Sequence, residues 1–197
     1  MIKQFWDWFT KQQAGLRKIT DGDYDLIDSI LIELRKIQTG LAVEFEKHGD
    51  LIVMTISADG VEENFDIVQE IVNHSPTIDK WNFVAFRQPV SKENINKITI
   101  TVKGIELDPK KLKFLPITED DNLYIQIFSG TLTDDNKSDI GYGCLMLIDN
   151  LIGEYDCVTK VRGYEFYNLS ESNDFADDLK PLTEIRDFLD NYYGVDA

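Results

Sequence analysis

Histidine, cysteine and proline are scarce in this 197-residue sequence, which has two, two and five of them respectively. Histidine serves in nucleophile triads, in many metal sites and in most acid–base chemistry near neutral pH, so its scarcity argues against such centres. We expect His48 in a hairpin turn and His74 at a helix end, where an imidazolium complements the helix dipole. Cys144 and Cys157 lack CxxC spacing and have apolar neighbours, which predicts buried thiols rather than a metal site or a disulfide.

Long apolar runs and flexible linkers are also missing. No segment approaches the roughly 18 consecutive apolar residues that read as a membrane span, and no Pro/Gly/Ser-rich stretch divides the chain. The start, MIKQFWDWF, has acid and aromatic residues where a signal peptide needs small residues at its cleavage site. We therefore expect one cytoplasmic domain over residues 1–197, without integral membrane association.

Phosphate-binding motifs are absent as well. The one GxG is formed by Gly141 and Gly143, and no Gly-Lys-Ser/Thr occurs. Met146 stands where a dinucleotide-binding fingerprint needs its third glycine. We expect no cofactor, and we interpret the two glycines as positions where a helix approaches a sheet closely.

Negative charge is what the sequence has in excess. Asp and Glu number 36 against 20 Lys and Arg, which gives a formal net charge of −16. Residues 1–18 contain four basic groups and one acidic group, so the remaining residues carry −19. Such a surface repels phosphate and attracts basic partners. The charge therefore disfavours nucleic acid and favours a basic protein as partner.

Residues 3–18 have the spacing of an amphipathic helix. The positions on its apolar side are Phe5, Trp8, Phe9, Gln12 and Leu16. Two interpretations are open. The helix docks on its own acidic body through the aromatic side, or it associates with a membrane surface or partner.

The following residues predict a second helix, capped at 20–23 and ending near Gly40. Asp21, Asp23 and Asp25 imitate the first ligands of a calcium loop, but the glycine and the final glutamate of that loop are missing. We interpret these acids as helix caps that complement the helix dipole.

Residues 41–89 predict a ββαβ unit: a hairpin over 41–57, a helix that ends near Pro76, and a strand over 80–89. Because the run Trp81–Phe86 is almost wholly apolar, we predict that this strand is central and buried on both faces. Beyond Pro89, alternating residues predict further antiparallel strands, with a helix over 140–151, a last strand over 158–169 and a short C-terminal helix. The predicted fold class is α+β, a single domain with a mixed, mostly antiparallel sheet of six or seven strands and helices packed on it.

Three groups of acids fall in predicted loops, and loops carry function disproportionately. They form the candidate partner-binding surface, for which the residues are Asp120, Asp121, Asp134, Asp135, Asp139, Asp174, Asp177 and Asp178. No catalytic or metal-binding residue is predicted, since carboxylate pairs are too plentiful in this chain to be evidence of a site.

Four segments carry a resemblance to a known group of proteins: FWDWF at 5–9, WNFVAF at 81–86, GIELDPKKLKFLPI at 104–117 and LIGEYDCVTKV at 151–161. The sequence resembles a group of uncharacterised bacterial proteins of similar length, and GxELDP is the most distinctive shared motif. The resemblance implies a bacterial, cytosolic protein and carries over no activity or catalytic residue.

The leading hypothesis is a non-enzymatic protein-binding module that docks a basic partner through its loops. Toxin-neutralising immunity proteins are similar to this chain in size and charge, an analogy of composition alone. One alternative is a carboxylate-dependent hydrolase with Tyr124, Tyr142 or Tyr164 as helper, which requires a pocket with two convergent carboxylates. A second alternative is peripheral membrane association through residues 3–18.

Overall fold

The computed structural model describes residues 1–19, 24–172 and 174–194. The chain contains two compact units, residues 1–87 and residues 88–197. Both combine helices with β-strands, so the predicted α+β class is confirmed. The single-domain organisation stays a prediction, and the helix caps predicted at 20–23 lie outside the described residues.

The first unit packs helices against a three-stranded sheet. Its elements are α1 (Ile2–Leu16), α2 (Tyr24–Arg35), β1 (Ala42–His48), β2 (Leu51–Ser57), α3 (Phe65–Asn73) and β3 (Trp81–Ala85). The sheet order is β1-β2-β3, with β1 antiparallel and β3 parallel to β2. The predicted ββαβ unit is therefore present, because α3 connects the parallel strands β2 and β3.

The strand predicted to be central lies at a sheet edge. Among the described residues β3 pairs with β2 alone, and β2 is the middle strand. Trp81 is buried, whereas Asn82 is exposed and the residues after it are half-buried. The apolar run also ends early as a strand, since Phe86 has a left-handed φ of 66° and packs its ring on Phe65 at 4.7 Å. The run is apolar because aromatic rings of neighbouring helices cover one face, not because strands flank it on both sides.

Helix α1 packs its aromatic side inside the first unit. Phe9 is fully buried, and its ring meets those of Trp81 at 4.9 Å and Phe83 at 5.3 Å, both edge to face. The Trp6 indole N–H donates to the Ile71 carbonyl of α3 at 2.8 Å. Sequence spacing put Trp8 and Gln12 on this side, but the structure buries Trp6 instead, half-buries Trp8 and exposes Gln12.

The second unit places a long helix against a four-stranded sheet. Its elements are β4 (Ile100–Val102), β5 (Ile105–Leu107), β6 (Lys113–Glu119), β7 (Asn122–Ser129), α4 (Lys137–Ile152), α5 (Glu154–Thr159), β8 (Gly163–Asn168), β9 (Lys180–Pro181) and α6 (Ile185–Tyr193). The larger sheet has the order β8-β7-β6-β9, and β4 pairs with β5 in a separate hairpin. Residues such as Phe114, Ile125 and Leu147 form its buried core.

The strands differ from the sequence prediction in number and grouping. The described residues contain nine strands in three sheets, not one sheet of six or seven. Lys103 and Gly104 both have positive φ and close the β4–β5 hairpin as a tight turn. The strand predicted over 158–169 is shorter in the structure, because α5 includes the first two of those residues and the strand β8 begins at Gly163. It is also not the last strand, since the two-residue β9 follows it in the chain. Antiparallel pairs still outnumber parallel ones, as predicted.

Helix α4 approaches the strands closely at its glycines, as the sequence predicts. A Cβ at Gly143 would lie 2.6 Å from both Leu107 Cδ1 and Val102 Cγ2, and one at Gly141 would lie 3.0 Å from the Phe166 ring. No helix among the described residues has the length and apolar character needed to cross a membrane.

Candidate functional site

Two of the three predicted acidic groups are brought together by a parallel strand pair. β8 runs parallel to β7, with Ser129 beside Asn168 at their carboxyl ends. The two loops that follow these residues therefore start side by side. We call this region the acidic end, and its predicted site residues are Asp134, Asp135, Asp139, Asp174, Asp177 and Asp178.

Contacts with β7 and β8 hold both loops of the acidic end in place. The Asn168 side-chain amide donates to the Leu132 carbonyl at 2.5 Å. Phe175, which lies between the acids of the second loop, packs edge to face on the buried Phe128 at 5.8 Å. Tyr167 of β8 stacks on the same Phe128 ring at 5.5 Å. The acidic side chains thus project from loops that are anchored on the sheet.

Negative charge dominates these loops. Segments 130–139 and 169–178 contain seven acids and one basic residue, Lys137. Asp139 lies in the first turn of α4, and Lys103 binds it at 2.6 Å. In the described part of the chain, no Lys or Arg forms an ion pair with the other five predicted acids, which are exposed: Asp134, Asp135, Asp174, Asp177 and Asp178.

Asp120 and Asp121 lie away from the acidic end. They form the two-residue turn between β6 and β7, and both have left-handed φ, 47° and 63°. Asp tolerates this conformation better than most residues, so the turn itself accounts for the pair. β7 separates the turn from the acidic end by its own length, roughly 23 Å at about 3.3 Å per residue.

A polar cluster of the first unit lies at the carboxyl ends of β2 and β3. There the Arg87 guanidinium donates to Glu44 of β1 and, at 2.9 Å, to Asp59. Asp59 has a left-handed φ of 53°, and its backbone N–H donates to the buried Ser57 hydroxyl at 2.8 Å. One cation thus ties two carboxylates to the sheet end, which gives the cluster a structural role.

The hydrolase alternative requires a pocket with convergent carboxylates. One groove among the described residues has a volume of about 280 Å³ and contains one carboxylate, Asp7. A hydrogen bond from Lys3 at 2.7 Å lowers the Asp7 pKa, which is the direction opposite to that of a general acid. The remaining groove residues are Lys3, Trp6, Thr10, His74 and Pro76. Within the described ranges, no group of three or more His, Cys, Asp or Glu side chains is arranged to hold a metal ion.

Two of the tyrosines proposed as helpers, Tyr142 and Tyr164, differ in their surroundings. Tyr142 lies on α4 with 63% of its surface exposed, while Tyr164 of β8 is half-buried against the core of the second unit. The Tyr164 hydroxyl donates to the Cys157 carbonyl at 2.9 Å and contacts the Cys157 sulfur at 3.3 Å. Burial raises the pKa of the Cys157 thiol to about 11 and that of Cys144 to about 12. Both cysteines are free thiols; Cys144 is buried, as the sequence predicts, whereas Cys157 is half-buried.

These pKa values predict slow thiol chemistry in the folded protein. Below pH 9 the folded state disfavours the thiolate, so Cys157 should react with iodoacetamide about 100-fold more slowly than in the urea-unfolded chain at the same pH. Its rate should rise as the pH approaches 11. Peptide mapping by mass spectrometry separates Cys157 from Cys144, and equal rates in folded and unfolded protein would contradict the burial argument.

Comparison of this chain with protein-family models, with curated proteins and with solved structures gave no match.

Proposed function

We propose that this protein is a non-enzymatic binding module that docks a basic protein partner through the acidic end. The observation that carries the proposal is the parallel pairing of β7 with β8, which starts two acidic loops side by side. Five exposed carboxylates there lack an ion-pair partner among the described residues, so their charge is available to a ligand. A bacterial origin and a cytoplasmic location, which the sequence resemblance implies, belong to the same proposal.

Negative charge concentrated in two neighbouring loops affects mainly the rate at which a partner associates with them. Like-charged loops focus a negative potential, which raises the rate of encounter with a basic protein and excludes acidic competitors. The attraction is screened by salt, because the Debye length falls from about 10 Å at 0.1 M to about 3 Å at 1 M. Binding through the acidic end is therefore expected to weaken steeply as the salt concentration rises.

Affinity capture with charge-matched variants tests the proposal. The full chain is immobilised and exposed to a lysate of the cells that produce it, at about 0.05 M and about 0.5 M salt. The test variant carries Asp134→Asn and Asp135→Asn, and the control carries Asp120→Asn and Asp121→Gly at the opposite end of β7. Each removes two negative charges, and Asn-Gly suits the turn of the control.

We expect a basic protein to be retained in stoichiometric amount at low salt by the wild type and the control, and to be lost at high salt. The Asp134/Asp135 variant should retain at least several-fold less of it. Equal retention by the two variants would mean that the acidic end is not the binding surface. Retention of no stoichiometric partner by any form would count against the binding function as a whole.

A further inference from the structure

Helix α4 carries an exposed apolar stripe on the side that faces away from the core. Its inward side is fully buried at Cys144, Leu147 and Leu151. On the opposite side, Tyr142 is 63% exposed and Met146, one turn further on, is 42% exposed. Leu145 is half-buried beside them. Tyrosine and methionine are enriched in protein interfaces, where a large or flexible side chain adapts to its partner.

The stripe is continuous with the acidic end. Asp139 lies three residues before Tyr142 on the same side of α4, and the loop acids Asp134 and Asp135 directly precede the helix. From Asp139 to Met146 the helix rises about 10 Å, at about 1.5 Å per residue, which matches about two turns of a second helix. Apolar contact and negative charge thus follow each other along one surface.

We propose that the α4 stripe binds an amphipathic basic helix of the partner, with apolar residues on Tyr142, Leu145 and Met146 and basic residues towards Asp134 and Asp135. This inference rests on the proposed function, because the charge of the acidic end selects the sign of the ligand. Lys103 already neutralises Asp139, so the loop acids supply the charge contacts. Helices recognise apolar surfaces through residues spaced i, i+3 or i+4, and i+7, and the stripe offers the first part of this spacing, with Leu145 at i+3 and Met146 at i+4 from Tyr142.

Two synthetic peptides of equal composition test the inference on the full chain. One is a fluorescein-labelled helix of about 18 residues, or five turns, with leucine on one side and lysine on the other. The second has the same residues in an order without an apolar side. Fluorescence anisotropy titrations compare the wild type with a double variant, Tyr142→Ser and Met146→Ser. The matched control carries Tyr24→Ser and Ile32→Ser, which are 78% and 54% exposed on α2.

We expect the wild type and the α2 control to bind the amphipathic peptide about tenfold more tightly than the second peptide, a difference of about 1.4 kcal/mol. The α4 variant should lose this preference. Equal affinity of the wild type for both peptides, or an α4 variant that keeps the preference, would overturn the inference.

A third variant, with Asp134→Asn and Asp135→Asn, separates the inference from the proposed function. If this variant weakens the binding of both peptides equally while the α4 variant changes neither affinity, the acidic end is supported as the binding surface and the role of the stripe is contradicted. If the α4 variant abolishes the preference while Asp134→Asn and Asp135→Asn have no effect, the stripe is supported and the acidic end is contradicted. If neither peptide binds the wild type at low salt, both proposals fail.

Discussion

Replacement of Gly143 by valine is expected to lower the free energy of unfolding by about 3 kcal/mol. Any Cβ at this position would lie 2.6 Å from Leu107 Cδ1 and Val102 Cγ2, and valine adds two further methyl groups. Val102 is β-branched and has little freedom to move aside, so α4 and the β4–β5 hairpin must separate. Urea unfolding followed by far-UV circular dichroism measures the loss.

Two alanine variants provide the control for this prediction. At Gly143, alanine gains up to about 1 kcal/mol of helix propensity but still clashes, so its effect should lie between those of glycine and valine. At Gly15 of α1 a Cβ meets nothing within 4 Å, and alanine should raise the free energy of unfolding by about 0.5 kcal/mol. If Gly143→Ala raised the free energy of unfolding as much as Gly15→Ala does, the prediction would be contradicted. The contact of α4 with Leu107 and Val102 would then accommodate a Cβ without loss of stability.

Replacement of Phe9 by alanine is expected to lower the free energy of unfolding by about 3–5 kcal/mol. Phe9 is fully buried, and its ring contacts those of Trp6, Trp81 and Phe83. Removing it leaves a cavity between α1 and β3 that rigid aromatic neighbours cannot fill. All three tryptophans of the chain, Trp6, Trp8 and Trp81, lie in the first unit, so tryptophan fluorescence during urea unfolding reports on this change.

The matched control is Gln12→Ala, an exposed position on the same helix, where the expected effect is within about 0.5 kcal/mol. The prediction also bears on the membrane alternative. The structure buries Phe5, Trp6 and Phe9 of this helix within its own unit and leaves Trp8 half-buried, so most of its aromatic surface is turned away from solvent. If Phe9→Ala lowered the free energy of unfolding no more than Gln12→Ala does, the aromatic side of α1 would contribute little to stability. That result would favour the alternative in which residues 3–18 associate with a membrane surface.

Much of the fold could be predicted because local pattern reports local structure. The period of apolar residues located α4, and the alternation around His48 and Gly49 located the β1–β2 hairpin. The glycines of α4 were correctly assigned to close packing. The position of β3 was wrong, because an apolar run indicates burial and does not say whether strands or helices provide it.

The candidate site could be predicted only in part, because a local pattern identifies acidic segments but does not say which of them lie side by side. The sequence named six of the seven acids of the acidic end, all except Glu171, but it grouped them equally with Asp120 and Asp121 at the far end of β7. The left-handed turn formed by this pair had a signal in the sequence, since two residues between alternating segments predict a hairpin. The ion pair of Lys103 with Asp139 had none, because the two residues are 36 positions apart.

The sequence by itself determined the composition of this protein's surface and the type of most of its elements, since charge and periodicity are properties of neighbouring residues. Only the tertiary structure decided which acidic loops start side by side. Ser129 and Asn168 are 39 positions apart, and only the pairing of β7 with β8 brings their loops together. Strand pairing over such distances depends on the packing of the whole unit, and a local pattern cannot encode it.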